Sequence, residues 1–295
     1  MSNRSTSEEK WTTRRLLAWT AEHFEKKGID SPRLSAEMLL AHVLGVKRIK
    51  LFIEADRPAS ELERAAFRDL VERAIQHEPV DYLVGHAPFF SMMFKVTPAV
   101  LIPRPSTETL VEHIIQHAKR TPGYRSPLIA DVCTGSGIIA IALAKHLPGC
   151  HVIATDISDE ALAIAKENAQ AHGVTQHIDF HQGNLLEPLG VQRVRYLVSN
   201  PPYISDAEWA QVEPNVKDYE PERALRGGAD GLQLIRPLIA QAKRFIEPPG
   251  QLVLEIAASQ KEAVLALAQE AGLENAHVLA DHEGLPRVLV AEVNE

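Results

Sequence analysis

The sequence predicts an α/β protein: a mostly parallel sheet covered by helices on both faces, preceded by a small helical bundle. Three observations carry that expectation. From residue 106 onward short apolar runs alternate with helical periods, the pattern of strands joined by crossover helices. Leu128-Ile129-Ala130-Asp131-Val132 reads as a strand, Cys133-Thr134-Gly135-Ser136-Gly137 as a glycine turn, and Ile138 to Leu147 as a helix. That succession is a nucleotide-binding β-turn-α unit. Finally, the apolar run Tyr196-Leu197-Val198 is cut off by Asn200-Pro201-Pro202-Tyr203. Two successive prolines cannot continue a strand, since each lacks an N–H and fixes φ.

Along the chain, residues 1–10 are polar and are expected to fray, and residues 12–78 read as helices. Leu16, Leu17, Thr20 and Phe24 share one face, and Gly28 follows as a stop. Ser31-Pro32 starts a second helix through Met38, Leu39 and Leu40. Ser60 caps a third, whose apolar face is Leu62, Ala66, Leu70, Ala74 and Ile75. Five prolines between Pro79 and Pro105 then break the helical period, and Phe89-Phe90 and Met92–Val96 suggest a β-hairpin or an extended linker. Further strands are expected at 151–155, 178–182, 252–256, 277–279 and 288–292, the last two antiparallel. Helices are expected at 107–119, 159–172, 230–247 and 259–272. The predicted division is 1–85, a helical domain; 86–105, a hairpin linker; and 106–295, the α/β domain.

Composition narrows the function. The chain has 295 residues, 45% hydrophobic and 24% charged, enough for two domains of ordinary soluble composition. No apolar run approaches membrane-spanning length and no signal-peptide pattern opens the chain, so no membrane partner and a cytoplasmic location are expected. Two cysteines, Cys133 and Cys150, do not suggest a disulfide framework. The net charge of −8 is uneven: residues 1–85 carry 14 basic and 14 acidic side chains, residues 86–295 carry 17 and 25. An acidic α/β half repels a phosphate backbone, which counts against a nucleic-acid substrate.

The two interruptions point to chemistry. Asn200 falls at the carboxyl edge of the sheet, where open α/β folds bind ligands. Its side-chain carbonyl and a stiff backbone carbonyl beside it are two fixed acceptors, able to hold both hydrogens of a planar –NH2 group. Tyr203 can pack on that group's flat face. A polar turn after a strand is the plain alternative, and the glycine turn about 70 residues earlier argues against it. Gly135 and Gly137 let the backbone approach a ligand, and Asp156, about 20 residues on, can accept from two ribose hydroxyls. The third glycine of a dinucleotide fingerprint is Ala140 here. That speaks against a pyrophosphate and leaves S-adenosylmethionine, which has ribose and adenine but no phosphate.

With these motifs the chain resembles the protein-(glutamine-N5) methyltransferases over roughly residues 30–293. The resemblance rests on Pro79-Val-Asp-Tyr-Leu-Val-Gly85, Phe89-Phe90, Leu101-Ile-Pro-Arg-Pro105 with Glu108, the 133–137 turn, Asp156 and Ser199-Asn-Pro-Pro-Tyr203. Tyr219-Glu-Pro221, Ala224-Leu225 and the Gly227–Gly231 segment add to it. The Ile-Pro-Arg-Pro form favours the release-factor branch over the ribosomal-protein branch. Three residues depart from the family pattern: Cys133, where glycine is usual; Asn184, where an acid is frequent; and Ala257, where glycine is usual.

The resemblance implies a class I S-adenosylmethionine-dependent methyltransferase with a seven-stranded Rossmann-like sheet. It implies methyl transfer to the glutamine side-chain amide in the Gly-Gly-Gln motif of peptide chain release factors, by a monomer. The catalytic residues implied are Asn200, Pro201, Pro202 and Tyr203: the Asn200 carbonyl and the Pro201 carbonyl accept the amide hydrogens, and Tyr203 walls the pocket. Cys133, Thr134, Gly135, Ser136 and Gly137 would hold the methionine moiety, Asp156 the ribose, and Asn184 and Leu185 the adenine, with Asn200 beside the cofactor. No general base and no metal are expected. The helical domain would recognise the substrate. Alternatives are a ribosomal-protein glutamine methyltransferase and a nucleic-acid amino methyltransferase, which shares the Asn-Pro-Pro-Tyr logic for a flipped base. His113 and His117 have metal-ligand spacing on a helix, but a solvated face is the stronger expectation. The same holds for the basic patch Lys47, Arg48 and Lys50. Glu255 ends a strand near the site, and structural and pocket-lining roles stay open.

Overall fold

Apolar residues three and four apart build the first of two units into which the chain divides, Met1–Gly85 and His86–Glu295. The computed structural model describes residues 10–121 and 126–294. The fraying expected of residues 1–10 therefore falls almost wholly outside the described residues.

The first unit holds α1 (Thr13–Lys27), α2 (Pro32–Leu44), α3 (Arg48–Ile53), α4 (Glu61–Ile75) and α5 (Val80–Val84). Its core gathers Leu16, Phe24, Leu39, Leu40, Leu51 and Phe67 with their neighbours. Gly28 closes α1 at φ 71, and Pro32 opens α2 at its first turn. Leu62 is 84% exposed, because the buried stripe of α4 runs through Phe67, Leu70, Val71 and Ala74, one step round the helix from Leu62 and Ala66. The helices α3 and α5, of six and five residues, are too short to show a period in the sequence. Lys47, Arg48 and Lys50 are exposed, with Arg48 Nη2 donating to Glu37 Oε2 at 2.9 Å.

The second unit opens with a hairpin, β1 (His86–Phe89) and β2 (Met92–Lys95), paired antiparallel. Its turn residues Phe90 and Ser91 both have positive φ, 50° and 60°, as a two-residue hairpin turn of the primed kind requires. This segment is not a linker. Phe89 and Phe94 are buried in the core with Leu110, Ile114 and Ile139, so the hairpin belongs to the α/β unit.

Then follow α6 (Ser106–Arg120), β3 (Leu128–Val132), α7 (Ile138–His146), β4 (His151–Asp156), α8 (Asp159–His172), β5 (Ile178–Gln182) and β6 (Val194–Ser199). After two short helices, α9 (Asp206–Trp209) and α10 (Pro214–Lys217), come α11 (Ile235–Phe245), β7 (Ile246–Glu255), α12 (Lys261–Glu270), β8 (Glu274–Ala280) and β9 (Pro286–Val293). The seven strands lie in the order β5-β4-β3-β6-β7-β9-β8. Pairings from β5 to β7 are parallel, and β9 runs antiparallel to both neighbours. One apolar cluster covers each face, which is why the central strands read as continuous apolar runs. The strand order reverses between β3 and β6, the switch point at which such sheets bind ligands.

His113 and His117 do not lie on a solvated face. His113 Nε2 meets Gln251 Oε1 at 3.0 Å and His117 Nδ1 meets Tyr196 Oη at 2.8 Å, so both rings sit half-buried against the sheet. Among the described residues no helix is long and apolar enough to cross a membrane, and no group of three His, Cys, Asp or Glu side chains could hold a metal ion.

The first turn of α4 is closed by a reciprocal cap. Glu63 N donates to Ser60 Oγ at 3.2 Å, and Ser60 N donates to Glu63 Oε2 at 2.8 Å. Ser60→Ala is expected to cost about 1 kcal/mol, read as a lowered urea midpoint with an unchanged m-value. An unchanged midpoint would show that Glu63 caps the helix alone.

Candidate active site

Parallel register aligns the ends of four strands. Val132 pairs with both Thr155 and Ser199, and Ser199 pairs with Leu254. The next residue on each strand, Cys133, Asp156, Asn200 and Glu255, therefore emerges along one edge. Ser199 Oγ donates to Val132 O at 2.5 Å, tying the last pair together across the switch point.

On one side of this edge the glycine turn wraps Asp131. Its carboxylate Oδ2 accepts from Thr134 Oγ1 at 2.6 Å and Ala140 N at 3.1 Å, while Oδ1 is buried without a partner. Burial pushes the Asp131 carboxyl up to about 7, against the two hydrogen bonds that lower it. Gly135 takes a φ of 55°, which aims its N–H at Asp156 Oδ2, 2.9 Å away. Asp156 Oδ1 accepts from Ser158 N, also at 2.9 Å. Each oxygen keeps a further lone pair. Burial also raises the Asp156 carboxyl above its ordinary value.

A cavity of about 270 Å³ opens here, lined by Cys133, Thr134, Gly135, Ser136, Asp156, Asn184, Leu185, Asn200 and Pro202. Nine of the twelve residues singled out in the sequence thus surround one space. Gly137 lies behind it as the N-cap of α7, and Pro201 is buried beneath the turn. Residues the sequence did not single out complete the wall, among them Ile138, Ser158, Gly183, Arg223 and Leu234. A wider open groove of about 780 Å³ adjoins it through Ser158, Pro221 and Arg223.

A second cavity, about 330 Å³, lies on the other side of Asn200 and is lined also by Tyr203, Val212, Glu213 and Val216. Asn200, Leu101, Arg104 and Ala224 line both cavities. Arg104 Nη2 donates to Glu220 Oε1, and Ile102 N donates to Glu220 Oε2 at 3.0 Å. This buried carboxylate joins the Ile-Pro-Arg-Pro segment to Tyr219-Glu-Pro221. Gly231 makes room on the Tyr203 side: a Cβ there would lie 2.2 Å from Tyr203 O.

Beneath Asn200 the structure is dense. Asn200 Nδ2 donates to Thr107 Oγ1 at 3.1 Å, and Thr107 Oγ1 donates to Glu255 Oε2 at 2.6 Å. Glu255 Oε1 accepts from Ser106 Oγ at 3.0 Å and from Tyr203 Oη at 3.2 Å. Glu255 lies outside both linings and has no exposed surface. Thr107 and Ser106 open α6, and no sequence pattern marked them.

A model of the PrmC N-terminal domain matches residues 15–85, and one of the methyltransferase small domain matches 105–215. Release factor glutamine methyltransferases of Geobacter sulfurreducens and Chlorobaculum tepidum are 39% and 40% identical, over 95% and 96% of this chain and 96% and 97% of theirs. The chain belongs to the release factor glutamine methyltransferase family. It is a methyltransferase by descent and by fold. A methyltransferase of Pyrococcus furiosus shares the sheet at 15% identity and a TM-score of 0.53, over 70% of this chain and 91% of that one. So does the T. thermophilus 16S rRNA N2 G1207 methyltransferase in complex with AdoMet and guanosine, at 17% identity and 0.50, over 70% and 49%.

The raised Asp131 carboxyl makes a pH prediction for this family member. Its folded-state value lies above the ordinary 3.8, so the stability it lends is full below that value and is lost as pH rises through about 7. Asp131→Asn removes the titration while keeping the shape. Urea unfolding at pH 5 and pH 8 is expected to show wild type losing roughly 2 kcal/mol relative to this variant. A difference that does not move with pH would contradict the raised value.

Proposed function

We propose that this chain transfers a methyl group from S-adenosylmethionine to the side-chain amide N5 of the glutamine in the Gly-Gly-Gln loop of peptide chain release factors. The observation that carries this reading is the place of Asn200, on the wall between two cavities, with the glycine turn and Asp156 on one side and Tyr203 on the other.

The first cavity suits the cofactor. Asp156 offers one lone pair per oxygen to a pair of ribose hydroxyls, and apolar walls of Leu185, Ile138, Ile139 and Leu234 suit adenine and a thioether chain. Asn184 Nδ2 is turned to Glu187 Oε1 at 3.4 Å, which leaves its carbonyl for the adenine amino group. Cys133 to Ser136 hold the methionine end, with Gly137 closing the turn behind them. Bound there, S-adenosylmethionine supplies an electrophilic methyl on a sulfonium. That the T. thermophilus structure of the same fold holds AdoMet supports this assignment.

A glutamine amide nitrogen is a weak nucleophile because its lone pair is delocalised into the carbonyl. Asn200 Oδ1 and the Pro201 carbonyl accept its two hydrogens, hold the lone pair toward the cofactor cavity and favour positive charge growing on nitrogen. As the N–CH3 bond forms, the methyl's bond to sulfur would break with its electron pair left on sulfur; the nitrogen becomes acidic, and one proton leaves to water. Tyr203 is not the base: its hydroxyl is given to Glu255, and burial pushes its pKa above the ordinary value. Pro202 stiffens the turn that fixes these acceptors.

The first unit selects the substrate. Ile49, Phe52 and Ile53 on α3 are 62%, 46% and 73% exposed, an apolar patch rimmed by Lys47 and Lys50. Such a rimmed patch is the mark of a protein contact. Release factors place the reaction in the cytoplasm.

One assay decides the substrate: labelled S-adenosylmethionine with purified release factors, ribosomal protein and nucleic acid in parallel. Label in the release factors alone is expected, and Asn200→Ala is expected to abolish it while leaving cofactor binding nearly unchanged by calorimetry. Label in ribosomal protein or nucleic acid alone would move the enzyme to another branch. Asp156→Ala should weaken cofactor binding by roughly 1.5–3 kcal/mol for each charge-assisted hydrogen bond lost. For recognition, Ile53→Asp is expected to raise KM for intact factor roughly tenfold, about the effect of one apolar anchor, and to leave the rate on a short Gly-Gly-Gln peptide unchanged. Equal losses on factor and peptide would remove α3 from recognition.

A further inference from the structure

Glu255, Thr107 and Asn200 lie far apart in sequence and in line in the fold. Glu255 is fully buried on the last residue of β7. It faces three hydroxyls, those of Ser106 at 3.0 Å, Thr107 at 2.6 Å and Tyr203 at 3.2 Å. Burial raises the Glu255 carboxyl, and the three hydroxyl bonds oppose that by favouring the charged form; as a carboxylate it only accepts, so all three hydroxyls donate to it. The N-terminal turn of α6 adds a favourable dipole for the anion.

A hydroxyl has one proton. That of Thr107 is committed to Glu255 by the shortest of these bonds. Toward Asn200, 3.1 Å away, Thr107 Oγ1 therefore presents lone pairs alone. Only the Asn200 NH2 can meet it, because an amide oxygen there would set acceptor against acceptor. With Nδ2 tied back, Oδ1 is the atom left for the substrate. The choice matters, since the substrate –NH2 can only donate: a flipped Asn200 would meet it donor to donor.

We infer that Glu255 is a positioning residue which, through the proton it draws from Thr107, sets the Asn200 amide with its oxygen toward the substrate. This rests on the reading of Asn200 as the acceptor of the substrate amide. The relay explains why a buried charge stands outside both cavities and yet beneath the reactive edge.

Glu255→Gln tests it sharply. Glu255 Oε1 serves two hydroxyls and Oε2 one, so the glutamine oxygen keeps Ser106 and Tyr203 and its NH2 faces Thr107. Thr107 then accepts from Gln, and its proton is released from Glu255 and free to be donated to Asn200, which favours the flipped amide. The variant keeps size and reverses polarity. Thr107→Val keeps shape and removes the relay, whereas Thr107→Ser restores it.

The full-length wild type and these variants are assayed for kcat and KM on intact release factor and for S-adenosylmethionine affinity by calorimetry. In parallel, 15N-asparagine spectra follow the Asn200 side-chain NH2, assigned by its loss in Asn200→Ala. Glu255→Gln and Thr107→Val are expected to lower kcat roughly 100-fold, the scale of one lost preorganised hydrogen-bonding group. Cofactor affinity should hold, and the Asn200 NH2 resonances should shift. Thr107→Ser should keep most of kcat and the wild-type resonances. The double variant Glu255→Gln/Thr107→Val should lose little beyond either single change, as expected for one pathway. Wild-type kcat in Glu255→Gln, unmoved NH2 resonances in Thr107→Val, or a Thr107→Ser as impaired as Thr107→Val overturns the relay. If Glu255→Gln fails to fold, the Thr107 pair decides alone. If wild type leaves release factor unmethylated, the substrate reading fails, and the NH2 spectra still decide the relay.

Discussion

In-register parallel pairing is the constraint on which the site depends. Val132, Thr155, Ser199 and Leu254 lie in one row, so the residues after them reach the same level of the sheet edge. A slip of one residue in β6 would turn its alternating side chains to the opposite faces of the sheet, where Tyr196 and Val198 serve one apolar cluster and Leu197 the other. Core packing thus fixes register, and register places Asn200 between Cys133 and Glu255. The two prolines after Asn200 stop β6 at that level and leave no N–H to extend it.

Buried carboxylates then stiffen what the register aligns. Asp131 holds the glycine turn through Thr134 and Ala140. Glu220 holds the Ile-Pro-Arg-Pro segment through Arg104 and Ile102. Glu255 holds the start of α6 and Tyr203. Each carries a desolvation cost and offsets it with donors, Glu220 and Glu255 from segments distant in sequence and Asp131 from the turn and helix that follow it. A half-satisfied carboxylate would be costly, so each holds its donors in one arrangement. Asp131, with Oδ1 unpartnered, is the least satisfied of the three; burial raises its carboxyl to about 7, and raises that of Glu255 as well.

Much of this was legible in the sequence where a local rule forces the outcome. The glycine turn, the strand-ending prolines and the α8 boundaries 159–172 each follow from φ restriction or periodicity over enough residues. The start of β7 was placed six residues late, at 252, because Pro248, Pro249 and Gly250 mask strand character that the sheet pairing restores. The segment at 86–95 reads as a hairpin but is set apart as a linker, because its short strands show no face long enough to assign to a core. Only the core position of Phe89 and Phe94 assigns it. Thr107, Ser106 and Arg223 were invisible for a different reason: single polar residues with no spacing rule, brought to the site by tertiary packing.

The same geometry accounts for the three departures from the family pattern. Ala257 has φ −70° and ψ 145°, ordinary extended backbone, so glycine is not needed there, and its N–H donates to Gln260 Oε1 at 3.0 Å. Asn184 meets Glu187 through its NH2, so a carboxylate stands one hydrogen bond away from the position where the resemblance leads to the expectation of an acid. Cys133 is different in kind. Its φ of 61° lies in the left-handed region, which favours glycine and costs a side-chain-bearing residue about 1 kcal/mol. The side chain packs partly buried against the core of its face, and burial pushes its thiol up to about 12, so it behaves as a small apolar group and not as a nucleophile. Leu185, at φ 48°, is the second strained residue on the same cavity. Strain on both walls of one cavity, held by the strands behind them, is what a preformed ligand site requires.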